Sequence, residues 1–325
     1  MNVQPPPPGA IVVGADGSPS SDVAVDWAAE EAARRGLPLH VIHAFSFEHT
    51  MTRSGLGHSF DDLRQVAHRV RKDAVDRARR AQPELSITWD EPAYAPAGAL
   101  VGASGTAATV VVGARGVSAT GGVLVGSVSA QLAMHARCPV VVVHDRPTAP
   151  PGAPVIVGVD GSALSTNAIS YAFEQASSRG VGLTVVHAWW LQYVEGAPET
   201  AVGTPDWQQF AQEEQSLVAE SLTGWQDKYP DVAVRRHSVR GLPVEALVRQ
   251  SENACLVVVG TRGRGGFAGL LMGSVSQGVM QRSRCPVAVV HAARVASDGP
   301  DRESRGTRSS SREHLPLVAP VPQHS

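Results

Sequence analysis

Cysteine is scarce: Cys138, Cys255 and Cys285 are the only three in 325 residues, an odd number with no CxxC or metal-ligand spacing. That excludes a disulfide framework and leaves small buried residues of a reducing compartment. Aromatic residues make up only 5% of the chain, and 28 Lys and Arg against 30 Asp and Glu give a formal net charge of −2. A chain this close to neutral has no global field for nucleic acid or for an acidic membrane surface. No apolar run approaches the ~20 residues that span a bilayer, and the proline-rich start, Met1 to Gly9, carries no charged-then-apolar leader. The expectation from these absences is a soluble cytoplasmic protein with neither nucleic acid nor membrane as a partner.

What the chain does have is a duplicated plan. Its 43% apolar content and its length suit two packed domains. Ile11-Val-Val-Gly-Ala-Asp16-Gly17-Ser18 returns as Ile156-Val-Gly-Val-Asp160-Gly161-Ser162. Leu39 to Ala44 returns as Leu183 to Ala188, and Arg137-Cys-Pro-Val-Val-Val-Val-His144 as Arg284-Cys-Pro-Val-Ala-Val-Val-His291. The domains expected are residues 9–146 and 153–293, joined by a linker at 147–152 and flanked by disordered ends, 1–8 and 294–325.

Within each copy, short continuous β-branched runs read as strands covered on both faces, and they alternate with helical patterns. The spacing predicts helices over Ser20 to Arg35, stopping at Gly36, and Ser165 to Arg179, stopping at Gly180. Longer helices are expected over Asp62 to Ala81 and Trp207 to Lys228. The arginines and Lys72 of the first read as a solvated face. Third strands follow at Ser86 to Trp89 and Val232 to Val239. A short helix comes next, in the first copy with Gly98, Gly102 and Gly105 inside it. Strands and helices in this alternation make a parallel sheet with right-handed crossovers and helices on both faces.

The most informative stretch follows the fourth strand of each copy. Val110-Val-Val-Gly113-Ala-Arg-Gly116, nine residues, then Gly126-Ser-Val-Ser129 matches Leu256-Val-Val-Val-Gly260-Thr-Arg-Gly263, nine residues, then Gly273-Ser-Val-Ser276. A strand, a glycine-rich loop and a helix N-terminus together form a cradle for phosphate. Ser274 is expected to cap the second such helix. Asp16 and Asp160, Ala44 and Ala188, and the glycine loops all fall at carboxyl ends of strands, where a parallel sheet binds ligands. An Asp before Gly-Ser is also a common turn and cap, and His43 and His187 read as strand-end histidines satisfied by backbone.

The strand-end Asp with Gly-Ser, the strand closing on His-Ala and Gly-x2-Gly-x9-Gly-Ser closely resemble the universal stress protein family, in its ATP-binding branch. The resemblance covers both copies, as in the tandem two-domain kind found in actinobacteria. It implies two Rossmann-like α/β domains of the adenine nucleotide α-hydrolase-like class, each a five-stranded parallel sheet of order 3-2-1-4-5. It implies ATP as cofactor, with Mg2+, one per domain. The first site would be Asp16, Ala44, Gly113, Arg115, Gly116, Gly126, Ser127, Val128 and Ser129. The second would be Asp160, Ala188, Gly260, Arg262, Gly263, Gly273, Ser274, Val275 and Ser276. The resemblance also implies pairing of the two copies through their fifth strands, Val140 to Val143 and Val287 to Val290, and homodimerisation of such chains. Departures lie at Ala108 and Cys255, where the family has an acidic residue, and at Tyr94-Ala-Pro96, where it has Gly-x-Pro.

No Lys-Ser/Thr follows the final glycine of the loop, so this is not a P-loop. Arg115, Arg262 and Arg264 are its cations, with no carboxylate pair or His beside them in sequence. The expectation is a nucleotide-dependent regulator of stress adaptation or slowed growth that does not turn substrate over efficiently. The alternative is a slow ATPase or nucleotidyl-transferring enzyme.

Overall fold

A computed structural model describes residues 5–45, 60–116, 125–144, 149–189, 207–263 and 272–291. Of the expected ends and linker, 1–4, 147–148 and 294–325 lie outside them. The first half runs β1 (Ile11–Gly14), α1 (Pro19–Arg35), β2 (Leu39–Ile42), α2 (Phe60–Ala81), β3 (Ile87–Asp90), α3 (Pro96–Ala103), β4 (Thr109–Gly113), α4 (Ser127–His135) and β5 (Val140–Val143). The second runs β6 (Val155–Gly158), a 3-10 turn (Ala163–Ser165), α5 (Thr166–Arg179), β7 (Leu183–Trp189), α6 (Trp207–Ser221), α7 (Trp225–Lys228), β8 (Val234–Arg240), α8 (Pro243–Ser251), β9 (Leu256–Gly260), α9 (Ser274–Arg282) and β10 (Val287–Val290).

Local chemistry sets these limits. Pro19 opens α1, where its missing N–H costs nothing, and the Ser18 hydroxyl accepts from Ser21 N–H at 3.1 Å. Gly36 and Gly180 close α1 and α5 in the left-handed conformation, at φ +62° and +63°. The helix expected over Trp207 to Lys228 is two helices, because Gly224 sits at φ +78° between them and turns the chain out of the helical path. In the first copy Gly98 and Gly102 lie inside α3, but the helix ends at Ala103, before Gly105.

All strands join one ten-stranded sheet of order β3-β2-β1-β4-β5-β10-β9-β6-β7-β8. Within each half every pairing is parallel, and each half repeats the order 3-2-1-4-5. The fifth strands, apolar edges if each half stood alone, form the centre of this sheet. They pair antiparallel, with Val140 opposite Val289 and Val142 opposite Val287. Valines of β4, β5, β9 and β10 are buried on both faces, which is why these runs lack alternation. One apolar core lies on each face, and both are continuous across the seam.

Polar side chains lock the seam on both sides. His144 Nε2 meets the Met280 carbonyl at 2.9 Å, and the equivalent His291 Nε2 meets that of Ala133 at 3.1 Å. On the other face Glu31, fully buried, accepts from Arg34 (2.7 Å), Arg179 (2.7 Å) and Gln175 (2.8 Å), the last two contributed by α5 of the second half. Glu31 and Gln175 occupy equivalent positions in the duplication, so a contact that would set like residues against each other is instead a carboxylate taking an amide N–H.

The charged face of α2 is only partly solvated. Arg77 binds Asp26 through two nitrogens (2.7 and 2.6 Å) and Asp22 through a third (3.1 Å), tying α2 to α1. Arg71 is buried over the Trp89 ring, 3.7 Å from its centroid, and paired with Glu91. Both arginines are fixed by partners on elements that the charge pattern of α2 alone does not name.

Two outcomes follow from this packing. Removing Glu31 strands partly buried arginines, so Glu31→Ala is expected to cost about 3 kcal/mol in urea unfolding. Lys72→Ala, which loses an exposed pair with Asp76, should shift the curve little. The second outcome concerns pH. Burial pushes His40 down to about 4, and it lowers His144 and His291 as well. The folded chain holds these rings neutral while the unfolded chain takes up protons below about pH 6.5. Stability should therefore be fully present above pH 6.5 and fall towards pH 4, by about 3 kcal/mol for His40 alone. His40→Gln should flatten that fall, and an unchanged slope would show that His40 does not cause it.

Candidate functional site

The parallel register sets β1 between β2 and β4, so the segments following these strands share one edge of the half-sheet. Asp16, Ala44 and Gly113 to Gly116 meet there, as do Asp160, Ala188 and Gly260 to Gly263 in the second half. Glycines just beyond the aspartates, Gly17 and Gly161, take φ of +78° and +72°. Each aspartate closes a local turn with one oxygen. Asp16 Oδ1 accepts from Ser18 N–H at 2.9 Å, and Asp160 Oδ1 accepts from Ser162 N–H at 3.0 Å and from the Ser162 and Ser165 hydroxyls, both at 2.7 Å. The other oxygen faces the glycine loop: a Cβ on Gly116 would lie 2.8 Å from Asp16 Oδ2, and one on Gly263 would strike Asp160 Oδ2. The aspartates thus serve as turn formers and also reach the loop.

Glycines of the loop answer to different constraints. A Cβ on Gly113 would lie 2.7 Å from the backbone of Ser20, so packing of α1 on the loop demands glycine there. At Gly126 the backbone is extended (φ −71°, ψ 159°), open to any residue. Its Cβ would find only ordinary contacts among the described residues, the closest at 3.6 Å. Among the described residues, packing does not explain the glycine at 126.

The helix starts correct one expectation. Gly126 and Gly273, not the serines, are the N-cap residues of α4 and α9, and neither cap has a side-chain hydrogen bond. Ser127 and Ser274 are the first helical residues. The hydroxyl that matters lies two residues later: Ser129 Oγ donates to the Gly113 carbonyl at 2.8 Å, and Ser276 Oγ to Thr261 O (3.2 Å) and Gly273 O (2.9 Å). These serines staple the helix to the end of the preceding strand. Gly126 N–H and Gly273 N–H close the loops on Ala114 O and Thr261 O, both at 2.7 Å. The N–H groups of Ser127, Val128 and Ser129, and of Ser274, Val275 and Ser276, then lie in first turns that provide no intrahelical acceptor. With the positive end of the helix dipole they make, at the mouth of each crevice, the kind of helix start that suits an anion.

Residues outside the glycine motif hold this site in place. Ser20 Oγ accepts from Arg115 N–H at 3.2 Å. Leu100 and Leu247 pack under Gly14 and Gly158 so closely that a Cβ there would lie 2.9 Å from a leucine methyl. His43 Nδ1 meets Ala15 O at 2.7 Å and His187 Nδ1 meets Val159 O at 2.8 Å, so both bond to backbone. His187 also pairs through Nε2 with Glu214 of α6. The signal for Ser20 was its place at the second residue of α1, beside the loop; for Glu214 the sequence carries none.

The glycine geometry yields a stability test. Gly113→Ala, which sets a methyl against backbone, is expected to lower stability by about 1–3 kcal/mol, whereas Gly126→Ala should leave the denaturation midpoint nearly unchanged. Equal losses at both positions would mean that packing alone explains the motif.

Comparison with known proteins agrees with this geometry. The profile of the Universal stress protein family matches residues 9–144 and 153–291. A universal stress protein of Mycobacterium tuberculosis is 42% identical over 288 residues, spanning 86% of this chain and 95% of that one. One from Mycobacterium bovis is 38% identical over 310 residues, spanning 89% and 96%. Among solved structures, a universal stress protein from Archaeoglobus fulgidus shares the fold at a TM-score of 0.62 and 22% identity, over 88% of this chain and 97% of its own. With both halves matched and relatives spanning nearly their full lengths, the chain belongs to the universal stress protein family, which it carries twice in tandem.

Proposed function

We propose that each crevice binds ATP, with Mg2+ as its counterion, and that the chain is a nucleotide-dependent regulator of stress adaptation or slowed growth rather than an efficient catalyst. The observation that carries this reading is the glycine at 126, left unexplained by backbone conformation and by described neighbours. A residue without a side chain, next to three helix-turn N–H groups, leaves room for a ligand rather than for protein. The site residues fit the group. Phosphoryl oxygens would take the amides of Ser127, Val128 and Ser129 in one half and of Ser274, Val275 and Ser276 in the other. Gly116 and Gly263 let the chain pass close to the strand-end aspartates, which would face ribose or base together with the backbone at Ala44 and Ala188. Arg115 and Arg262 add charge beside the phosphates.

The regulatory reading rests on what the residues are arranged to do. Each aspartate is held in a turn by the N–H two residues on, and Asp160 by two serine hydroxyls besides. Those bonds orient an acceptor. A base for proton transfer would instead need to be positioned against a nucleophile. Binding through a few charge-assisted N–H bonds at about 1.5–3 kcal/mol each, against association costs of ~4–15 kcal/mol, favours micromolar affinity. Occupancy at that affinity follows the nucleotide pool, as a sensor requires.

A thermal-shift titration tests the reading. Mg-ATP at about 100 times its Kd adds ~2.7 kcal/mol of stability and should raise the wild-type midpoint by several degrees. The Gly116→Glu/Gly263→Glu variant should not respond, and no shift in the wild type would overturn the proposal. Incubation of the chain with Mg-ATP for hours should release no ADP or AMP beyond that seen with the same variant. Release that depends on the intact site would identify an enzyme instead.

A further inference from the structure

A second feature of the molecule lies on the domain seam, outside both crevices. Because the halves pair antiparallel through β5 and β10, the carboxyl edge of the first half points the same way as the amino edge of the second, where α8 and α9 end. Between them is a groove of about 880 Å³, within the range that holds small ligands. Arg115 enters it from the loop of the first half, one residue before Gly116, and Arg249, Arg282 and Arg284 enter it from the helix ends of the second. Glu245 and Glu252 also line it, so the three guanidinium groups of the second half alone outnumber the carboxylates. Among the described residues, the side chains of Arg249, Arg282 and Arg284 have no ion pair.

The bland reading is that Arg249 and Arg282 offset the negative ends of the helix dipoles. The duplication argues that this is not enough. The residues equivalent to Glu245, Arg249, Glu252 and Arg282 in the first copy are Gly98, Gly102, Gly105 and His135, so the matching helices end without these charges. Only Arg137, which matches Arg284, and Arg262, which matches Arg115, repeat. Among the described residues the charged groove therefore lacks a counterpart at the matching helix ends of the first copy, and Arg284, which is in neither helix, and Arg115, from the opposite half, complete it. Guanidinium forks match phosphoryl oxygens bidentately, and several on one wall suit a chain of them rather than a single ion.

We propose that this groove is a second anion site, one per chain, that takes a run of phosphoryl groups. Its source is either a free oligophosphate or the extended tail of a nucleotide seated in the first crevice. Neither source requires that the second crevice bind nucleotide, and the free form does not require that either crevice does.

The test is calorimetric titration of the full-length chain with tripolyphosphate at low and moderate salt. It compares the wild type, a crevice-blocked Gly126→Leu/Gly273→Leu variant, and each of these with Arg249→Gln/Arg282→Gln added. A free oligophosphate site predicts one tripolyphosphate per crevice-blocked chain, weakened at least tenfold by the arginine substitutions and by salt, but not by Arg137→Gln. A nucleotide-tail site predicts no binding to the blocked chain. The wild type should then hold adenosine tetraphosphate tighter than ATP by a margin that Arg249→Gln/Arg282→Gln removes. The exposed arginine positions keep folding intact, which an unchanged thermal midpoint checks. If the arginine substitutions change neither binding by more than twofold, the proposal is wrong. Tripolyphosphate held by the groove in a chain that never binds ATP would sink the nucleotide reading alone.

Discussion

The antiparallel pairing of β5 with β10 is the constraint on which the rest of the molecule depends. Each half-sheet, taken alone, ends on a strand of four residues with nothing polar on it, and such an edge invites pairing. Joined, the two edges satisfy each other's backbone groups and carry both cores across the seam without a break. The true edges of the sheet are β3 and β8, where Trp89, Arg235 and Arg236 are exposed and a charged edge discourages further strands. The pairing also fixes the geometry of function. It turns the two crevices to opposite ends of the sheet and brings the loop of one half beside the helix ends of the other.

Duplication makes the chain its own control. Where both copies keep a feature, both halves need it: the aspartate that touches a loop glycine, the serine that ties helix to strand end, the histidine that bonds across the seam. Two of the differences between the copies fall on the seam. Glu31 opposite Gln175 replaces a repulsion by a hydrogen bond, and it ties the first half to the second rather than to another copy of itself. Gly102 against Arg249 leaves one side of the seam bare and the other charged. These two differences make the two sides of the seam unlike each other.

Local chemistry was legible in the sequence and partner chemistry was not. The β-branched runs before Gly113 and Gly260 and the stops at Gly36 and Gly180 are decided by the residues themselves, so the strands and the ends of α1 and α5 could be read directly. So could the spacing that brings Asp16 to Gly116, because both lie at ends of adjacent parallel strands. The break at Gly224 was missed because a glycine in a helical pattern can be tolerated or can turn the chain, and neighbouring elements decide which. Arg71 and Arg77 read as solvated charge because their partners, Trp89, Glu91 and Asp26, belong to other elements. The serine expected to cap α9 lay one residue late, since a glycine N-cap leaves no side-chain signal in a sequence.

The central claim is that the side-chain-free position at 126 is reserved for a ligand's phosphates. A crystal of this chain grown with a non-hydrolysable ATP analogue and Mg2+ tests it most directly. The account predicts phosphate density against the amides of Ser127 to Ser129 and Ser274 to Ser276, with the base near Asp16 and Asp160. Two crevices without analogue, with neighbouring side chains folded into the space beside Gly126 and Gly273, would contradict it.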